Sequence, residues 1–246
     1  MSLKIANLLK LDARWYVVIM LSGIAALSAR ACAGIVLRYV ISTCLISCVL
    51  DFLIICLRKR RPAFPLSALV SGLIISGVSE PSHLFYLTPI AAILSKHIIK
   101  VSKRHIFNPA AFGLLVANIF WGLPLSWRVE ADRAIIVAFG LFLAYRIKKL
   151  SLIFSFAFTT FILSLAYSLL IHQPVLSNLG ILNLFFIFFM LPEPKTSPVY
   201  LKSKLIYGAV VSLLVILCMA ILPRYDFMIL GLILGNIAGV FLRKAR

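Results

Sequence analysis

Ten runs of mostly apolar residues, separated by short charged or proline-containing stretches, make up most of this sequence. Of the 246 residues, 63% are apolar and only 13% are charged, and the mean hydropathy is +1.08. A soluble core of this size cannot cover so much apolar surface, so we expect lipid to be the solvent for most of the chain. The sequence therefore predicts an all-α integral membrane protein.

The lengths of the runs bear on how each one crosses the bilayer. A helix needs roughly 20 residues for a complete crossing. Three runs are short for that, namely 15–29, 65–79 and 134–147. These three are expected to be tilted, extended by flanking residues, or half-helices that meet inside the protein. The ten runs lie at 15–29, 33–57, 65–79, 83–100, 107–121, 134–147, 151–172, 176–191, 204–222 and 226–242.

The basic residues provide an independent test of the number of spans. Lys and Arg total 25 against 7 Asp and Glu, a net charge of +18. On a soluble protein this balance would suggest nucleic-acid binding, but here the basic residues fall in short clusters between apolar runs. With ten spans and the N-terminus inside, the loops on one side hold most of them, and the other side holds only Arg30, Arg128, Arg133 and Arg224. This asymmetry predicts a multi-pass protein of the cytoplasmic membrane with both termini cytoplasmic.

Five spans in each half would make the second half enter the membrane from the opposite side, which is typical of inverted-repeat transport folds. The fifth span carries GLLVANIFWG (113–122) and the tenth carries GLILGNIAGV (231–240), which places Asn118 opposite Asn236. The third span ends in SEPS (79–82) and the eighth in PEPKTSP (192–198). The predicted organisation is a cytoplasmic segment (1–14), a first five-helix repeat (15–122), an extracytoplasmic linker (123–133) and a second five-helix repeat (134–246).

Asn108 and Pro109 open an apolar run behind two basic residues, which is an unusual start for a lipid-facing helix. The pair predicts a helix capped by Asn108, with Pro109 in the first turn and that turn directed into a protein-lined cavity. Asn118 would then face the interface between the repeats. The alternative is an ordinary cap together with an interhelical hydrogen bond worth about 1 kcal/mol.

The sequence contains no recognisable hydrolytic or metal-binding motif. Glu80 and Glu193 would lie near opposite faces of the membrane and could not form a two-carboxylate site. No Ser-His-Asp, HExxH or phosphate-loop pattern occurs, and the five cysteines show no CxxC spacing. We therefore predict no catalytic residues and no metal site in this chain.

Three stretches resemble the NqrB/RnfD family, the large membrane subunits of the sodium-pumping NADH:quinone reductase and of the Rnf ferredoxin:NAD complex. They are KRHIFNPAAFG (103–113), LPEPKTSP (191–198) and KLIYGAVVSLL (204–214). SALVSGLIISG (67–77) and the stretch around Lys96 also look like the family, so the similarity runs from about residue 60 to the end.

The resemblance implies a ten-helix inverted-repeat fold similar to urea transporters. It also implies flavin binding, electron transfer across the bilayer beside other redox subunits or a cytoplasmic flavin or iron–sulfur reductase, and coupling in some members to sodium or proton movement. The positions that match the two family motifs are Asn108, Pro109, Ala110, Glu193, Pro194, Thr196, Ser197 and Pro198, with Glu193 where relatives usually have Asp.

One departure from the family concerns the segment between helices five and six. Relatives carry a long extracytoplasmic segment there, with a threonine esterified to FMN, whereas this chain has only WGLPLSWRVEADR (121–133) and no threonine in it. Covalent FMN is therefore not expected. The resemblance then leaves a non-covalent flavin, FMN or riboflavin, or a reduced role.

Several single residues allow two interpretations. Lys96 either extends to the inner surface or places a cation beside a flavin ring or phosphate. Asp51 either pairs with Arg58 or takes part in a proton or sodium pathway, for which Glu80 and Glu193 are the other candidates. The four histidines allow a haem held by two facing imidazoles, although they fall near the two interfaces more than in mid-span.

The primary hypothesis from the sequence is a membrane-embedded electron-transfer subunit with a non-covalent flavin. Its candidate cofactor-binding residues are Asn108, Pro109, Lys96, Thr196, Ser197, Asn118 and Asn236. The competing hypothesis is a channel or carrier for a small polar solute, since two equivalent asparagines at the repeat interface would suit an amide-like substrate. A scaffold that only positions other subunits is a third interpretation.

Overall fold

The computed structural model describes residues 12–28, 33–59, 64–101, 104–127, 133–170, 172 and 183–243. Most of the predicted segment 1–14, part of the predicted linker 123–133 and the first part of the predicted span 176–191 lie outside these residues. Within the described part the chain is mostly helical. Its helices are α1 (Ala13–Ser28), α2 (Ala33–Lys59), α3 (Leu66–Val78), α4 (Leu87–Ile98), α5 (Pro109–Trp121), α6 (Arg133–Arg146), α7 (Leu150–Leu170), a π-helix (Phe186–Met190), α8 (Leu201–Ile221) and α9 (Phe227–Leu242).

Within the described residues the helices fall in the predicted apolar runs, but the expectation of ten spans is not met: three helices are long and apolar enough to cross a membrane by length and composition. Those three lie at Val36–Arg58, Leu150–Leu170 and Leu201–Ile221. The predicted run 83–100 shortens to the 12 residues of α4, and the predicted run 107–121 to the 13 residues of α5. At 1.5 Å per residue these two helices are about 20 Å long, less than the hydrocarbon thickness of a bilayer.

Proline and glutamate end the third helix of each half, as the sequence predicts. Helix α3 ends at Val78, just before Glu80 and Pro81, and its carboxyl-terminal residue Ser79 bonds back to the helix through its backbone N–H. The π-helix ends at Met190, just before Pro192 and Glu193. Proline lacks a backbone N–H and cannot continue a helical hydrogen-bond ladder, so the chain leaves the helix at both of these points.

When the elements of each half are numbered along the chain, the same pairs of elements are in contact in both halves. The main contacts between the halves join elements that have the same number. In the first half α1 contacts α3, α2 packs on α3 and α4, and α4 packs on α5. In the second half, where the π-helix is the third element, α6 contacts the π-helix, α7 packs on the π-helix and α8, and α8 packs on α9. Across the halves α1 contacts α6, which is the first helix of the second half. Helix α5 contacts α9, and these are the fifth elements of the two halves.

The loops fall into two groups that are joined by hydrogen bonds within each group. At one end, which we call the basic end, Arg58 Nη1 donates to the His97 carbonyl at 3.0 Å, and Arg243 Nη1 donates to the Lys195 carbonyl at 2.5 Å. A two-stranded hairpin, β1 (Lys100–Val101) and β2 (Arg104–His105), also lies there, between α4 and α5.

The other group of loops lies at the opposite ends of the same helices. Trp127 links two of these loops, because its backbone N–H donates to the Val78 carbonyl at 3.2 Å and its indole Nε1 donates to Asp226 Oδ2 at 2.8 Å. Glu80 joins them through its backbone N–H, which lies 3.4 Å from the Pro124 carbonyl oxygen. This second group therefore includes loops from both halves of the chain.

Glycine sets the distance between the last two helices of each half. A Cβ atom on Gly113 of α5 would lie 2.5 Å from the Thr88 carbonyl oxygen and 2.7 Å from the Ala92 Cβ of α4. On α9, a Cβ atom on Gly231 would lie 2.8 Å from the Val215 Cα of α8. Small residues of this kind let helix backbones approach closely where lipid gives no hydrophobic drive to association.

We expect Gly113→Ala to destabilise the protein by about 1–3 kcal/mol, because the added methyl group has no room and α5 must move away from α4. Gly23→Ala is the matched control, since a Cβ atom there would meet nothing within 4 Å. The midpoint of thermal unfolding in detergent, measured for both variants, checks the prediction. Equal midpoints for the two variants would contradict it.

Candidate functional site

Asn108 uses both ends of its side-chain amide at the start of α5. Its Oδ1 accepts from the Ala111 backbone N–H at 3.2 Å, which caps the helix as the sequence predicts, with Pro109 in the first turn. Its Nδ2 donates to the Met190 carbonyl at 3.1 Å, at the end of the π-helix in the second half of the chain. This buried residue therefore joins the FNPA motif (107–110) to the segment that precedes the Glu-Pro motif (192–198).

The Glu-Pro motif forms a tight turn that its own hydroxyl groups stabilise. Ser197 Oγ donates to the Glu193 carbonyl at 2.7 Å, and Thr196 Oγ1 donates to Glu193 Oε2 at 3.3 Å. The other carboxylate oxygen, Glu193 Oε1, lies 3.0 Å from His105 Nε2 on β2. Thr196 and Ser197 are buried and shape the turn, while Glu193 is only partly buried and connects the turn to the hairpin.

Lys149 fixes the far side of the same turn. It is buried in the short loop between α6 and α7, where its ammonium group donates to the Ser197 carbonyl at 3.4 Å and to the Pro198 carbonyl. Burial, with the nearby positive charges of Lys204 and Arg243, lowers the pKa of Lys149 to about 8. This end of the molecule therefore has an excess of positive charge even where it is covered by protein.

Asp51 lies in a buried charged cluster with Lys96, His97 and Ser67. Lys96 Nζ donates to the two carboxylate oxygens of Asp51 at 2.8 and 2.7 Å and to Ser67 Oγ at 2.6 Å. His97 Nε2 lies 2.6 Å from Asp51 Oδ1. Asp51 is 1% exposed and Lys96 is 8% exposed, so each charge has its main counter-charge inside the protein.

Two expectations for this cluster were wrong. Asp51 does not pair with Arg58, because the two residues are seven positions apart on α2, a rise of about 10 Å, whereas Lys96 arrives directly from α4. Arg58 instead donates to the His97 carbonyl. Lys96 also does not extend to the surface, since its ammonium group is held by Asp51 and Ser67 inside the protein.

Two adjoining cavities open around these groups at the basic end. The first, which we call the inner cavity, has a volume of about 350 Å³ and is mostly apolar. Its lining comes from α1, α3, α6 and the π-helix and includes Val70, Ile74, Leu143, Phe188 and Phe189. Pro109 also lines it, and its polar lining comes from Asp12, Arg14, Ser67, Ser71, Lys96, His105, Asn108, Glu193 and Lys195.

The second cavity, which we call the vestibule, has a volume of about 550 Å³ and a far more polar lining. It shares residues of its wall with the inner cavity, among them Ser67, Lys96 and His105, so the two are neighbours. The inner cavity is therefore mostly apolar, and the adjoining vestibule is lined by many basic side chains. Small-molecule and cofactor sites commonly have this size, with a largely apolar lining and a few convergent polar groups.

The structure brings together some of the residues that the sequence singles out and separates others. Lys96, Asn108, Pro109 and Glu193 line the inner cavity, and Asp51 lines the vestibule. Thr196 and Ser197 lie behind the wall, in the turn. The remaining three lie outside both cavities. Glu80 is at the opposite end of the molecule. Asn118 is on α5, where its Nδ2 donates to the Leu123 carbonyl at 3.1 Å, and Asn236 is on α9, where its Oδ1 accepts from the Tyr207 hydroxyl.

The sequence does not distinguish several other residues of the site from their neighbours. Ser67, Phe188 and Phe189 are ordinary members of apolar runs, and only the packing of the two halves directs them at one cavity. His97 and His105 attract attention in the sequence as possible haem ligands, but in the structure their Nε2 atoms face Asp51 and Glu193. In the sequence, only their positions close to Lys96 and Asn108 indicate that these two histidines belong to the site.

Comparison of the chain with models of known protein families finds no match. Comparison with curated proteins also finds no match.

Proposed function

We propose that this protein is a membrane-embedded electron-transfer subunit of a redox complex resembling Rnf and Nqr, with a non-covalent flavin in the inner cavity. The observation that carries the proposal is the meeting of the two family-like motifs. FNPA and PEPKTSP come from different halves of the chain, yet both line one cavity, joined by the bond from Asn108 Nδ2 to the Met190 carbonyl and by the contact between His105 and Glu193.

The grouping of the loops supports a topology of ten membrane-embedded segments. Among the described residues, the loops that the charge pattern assigns to the cytoplasm lie at the basic end, and those assigned to the outside lie at the other end. Helices too short to cross alone are tolerated at membrane depth where other protein surrounds them. By the positive-inside rule, the basic end and both termini then face the cytoplasm.

The order of the elements supports an inverted repeat of five and five. Each half contains two helices, a third that ends near a Glu-Pro pair, and two more whose close approach depends on glycine. The contacts between the halves join first with first (α1 and α6) and fifth with fifth (α5 and α9), as a pseudo-twofold axis requires. This arrangement is typical of transport folds such as that of urea transporters, with the ligand site at the repeat interface.

The inner cavity suits the ring system of a flavin. Its apolar walls, with the rings of Phe188 and Phe189 among them, would cover the faces of a flat aromatic group. Asn108 and Glu193 would hold the polar edge of the ring by hydrogen bonds, and Lys96, whose N–H groups are donated to Asp51 and Ser67, would lie beside it in the wall. A bound flavin supplies the electron-accepting chemistry that the side chains of this sequence lack.

The redox partners follow from the same reasoning. A flavin in the inner cavity needs an electron donor, and a cytoplasmic reductase or neighbouring redox subunits would provide the electrons. A cavity at the cytoplasmic end is accessible to such a donor. Three acidic residues line the cavities: Asp12 pairs with Arg14, and Asp51 and Glu193 are the two that could couple electron transfer to proton or sodium movement.

Absorption spectroscopy tests the proposal. The protein, purified in mild detergent, should give flavin bands between about 350 and 500 nm that pass into the filtrate after denaturation, because no covalent bond holds the flavin. Asn108→Ala should lower flavin occupancy, whereas Asn118→Ala, on the same helix but away from the cavity, should leave it unchanged. A protein that stays colourless after incubation with FMN and riboflavin would overturn the proposal, and a Soret band would replace it with a haem protein.

One observation favours the second candidate, a channel or carrier for a small polar solute. Asn118 Oδ1 and Asn236 Nδ2 are buried and have no hydrogen-bond partner in the described part of the chain. They lie on α5 and α9, the equivalent helices that meet between the halves. Unpaired buried amide atoms are costly, so they could serve an amide-like solute. A colourless protein that speeds urea equilibration in liposomes, and loses this on Asn236→Leu, would favour this function.

A further inference from the structure

Another cavity lies at the end of the molecule opposite the basic end. It has a volume of about 370 Å³ and lies between the second turn of α2 and the segment that joins α3 to α4. We call it the Arg38 pocket, and its lining residues are Arg38, Tyr39, Ser42, Pro81, Ser82, His83 and Phe85. None of these residues lines the inner cavity or the vestibule, so the pocket is a separate site.

The Arg38 pocket has positive charge in its wall without a counter-charge. Arg38 contributes a guanidinium cation and His83 an imidazole, and no acidic residue is among the described residues that line the pocket. Neither residue takes part in an ion pair within the described part of the chain. Glu80 lies close by in sequence but is not part of the lining. Because a charge near the end of an apolar span needs a partner, an anion is the ligand that suits this wall.

Ser82 gives a second, independent indication of a ligand in the same pocket. Its Oγ is buried and has no hydrogen-bond partner in the described part of the chain. Buried hydroxyl groups in native proteins are nearly always paired, because an unpaired one loses its bonds to water. Tyr39 cannot be the partner, since its hydroxyl group bonds to Ser79 Oγ and its ring packs edge-on against Phe85 at 5.4 Å. A phosphate oxygen in the pocket could accept from Ser82.

An exposed apolar stripe on α2 begins beside the pocket. It consists of Leu37, Ile41, Leu45 and Val49, which recur every four residues and are all exposed. At 1.5 Å per residue the stripe is about 18 Å long, close to half of the roughly 30 Å hydrocarbon thickness of a bilayer. The apolar segment of α2 also has a smaller share of buried residues, 17%, than the segments of α7 and α8, with 28% and 39%. The described chain therefore leaves this side of α2 open along the depth of one lipid leaflet.

We propose that the Arg38 pocket binds the phosphate of an anionic phospholipid, whose acyl chains lie along the stripe on α2. A guanidinium suits this role because it forms paired, charge-assisted hydrogen bonds with phosphate oxygens. The stripe selects a lipid over a soluble phosphate ester, since the apolar surface starts at the phosphate site and is as long as one leaflet is thick. The positive wall selects an anionic headgroup over a zwitterionic one. The inference requires only that α2 lies in a membrane, and it is independent of the flavin and of the redox partners.

Native mass spectrometry of the whole chain tests the proposal. The protein, in a neutral detergent, is incubated with equal amounts of phosphatidylglycerol and phosphatidylcholine that carry the same acyl chains. The first bound lipid should be phosphatidylglycerol, with a preference of about tenfold, as expected for charge-assisted hydrogen bonds. Arg38→Gln should reduce the preference to about twofold or less. Arg224→Gln removes an exposed cation from another loop at the same end, outside the pocket wall, and should leave the preference intact.

Ser82→Ala distinguishes a role in lipid binding from a role in folding. Because Ser82 Oγ has no partner in the described part of the chain, its removal should not lower the melting temperature of the lipid-free protein. It should reduce the preference for phosphatidylglycerol by about threefold, the effect of losing one hydrogen bond. If Ser82→Ala keeps the full preference, the hydroxyl group does not hold the phosphate, and the proposed site is overturned.

The other outcomes identify what else could occupy this surface. Equal uptake of the two lipids, or equal effects of Arg38→Gln and Arg224→Gln, would mean ordinary contact with bulk lipid and would overturn the proposal. Glycerol 3-phosphate has the phosphate ester without acyl chains, and it should displace phosphatidylglycerol only at about 100-fold excess or more. Displacement at equal concentration would make a soluble phosphate ester the occupant. A species of twice the mass that binds no phospholipid would assign the stripe to a second copy of the chain. Either result would overturn the lipid site.

Discussion

Replacing Lys96 with methionine is expected to lower the stability of the protein by about 3 kcal/mol or more, among the largest effects of any single substitution in this chain. The reason is the carboxylate that remains. Asp51 is 1% exposed, and Lys96 donates to both of its oxygens, at 2.8 and 2.7 Å. Without Lys96, only the contact with His97 Nε2 would remain for this buried charge. The midpoint of thermal unfolding and the fraction of monodisperse protein after purification measure the loss.

A double variant distinguishes the cost of an unpaired buried charge from the cost of lost packing around Lys96. In Asp51→Asn/Lys96→Met the buried charge is gone together with its partner, so we expect most of the lost stability to return. Lys202→Met, which removes an exposed cation from α8, is the control and should change the midpoint little. If Lys96→Met unfolds at the wild-type temperature, or if the double variant is no better than the single one, the buried pair does not have the role given to it here.

Asn108→Ala is expected to be the second most damaging of these substitutions, with a loss of about 2–4 kcal/mol. Removing the cap of α5 costs about 1 kcal/mol, and leaving a buried carbonyl without its partner costs a further 1–3 kcal/mol. Both interactions are made by the one amide, with the Ala111 N–H at 3.2 Å and the Met190 carbonyl at 3.1 Å. Thermal unfolding measures the loss.

The variants Asn108→Asp and Asn118→Ala divide the effect of Asn108→Ala into its parts. Aspartate keeps the cap acceptor, removes the amide donor to the Met190 carbonyl and adds a buried charge, so its effect is an upper bound on the contact between the halves. Asn118→Ala removes a half-buried amide from the same helix whose bond to the Leu123 carbonyl stays within that half, and it should cost less. Equal losses for Asn108→Ala and Asn118→Ala would contradict a special role for Asn108.

The features that the sequence predicts correctly are those that depend on local chemistry. Asn108 followed by Pro109 and an apolar run is a helix start wherever it occurs, because both residues are suited to the first turn. Glu-Pro after an apolar run ends a helix because proline breaks the ladder, and both Val78 and Met190 stand at such ends.

The features that the sequence does not predict depend on which helices become neighbours. Asp51 is closer to Arg58 in sequence than to Lys96, but α2 and α4 lie side by side, and the partner 45 residues away is the one in reach. Nothing in FIFFM (186–190) distinguishes a π-helix from an α-helix, since both bury the same apolar side chains. The role of Lys149 in holding the turn at Ser197 is of the same kind, because it requires the packed second half.

The bond from Asn108 to Met190 also has a consequence for biogenesis. Its two residues are 82 positions apart, so at a synthesis rate of about 5–20 residues per second the first half waits about 4–16 s for its partner. The pair of Asp51 and Lys96, by contrast, is complete as soon as the fourth helix has been made. The charged cluster can therefore assemble early, while Asn108 Nδ2 and His105 Nε2 reach the Met190 carbonyl and Glu193 only after the second half has been made.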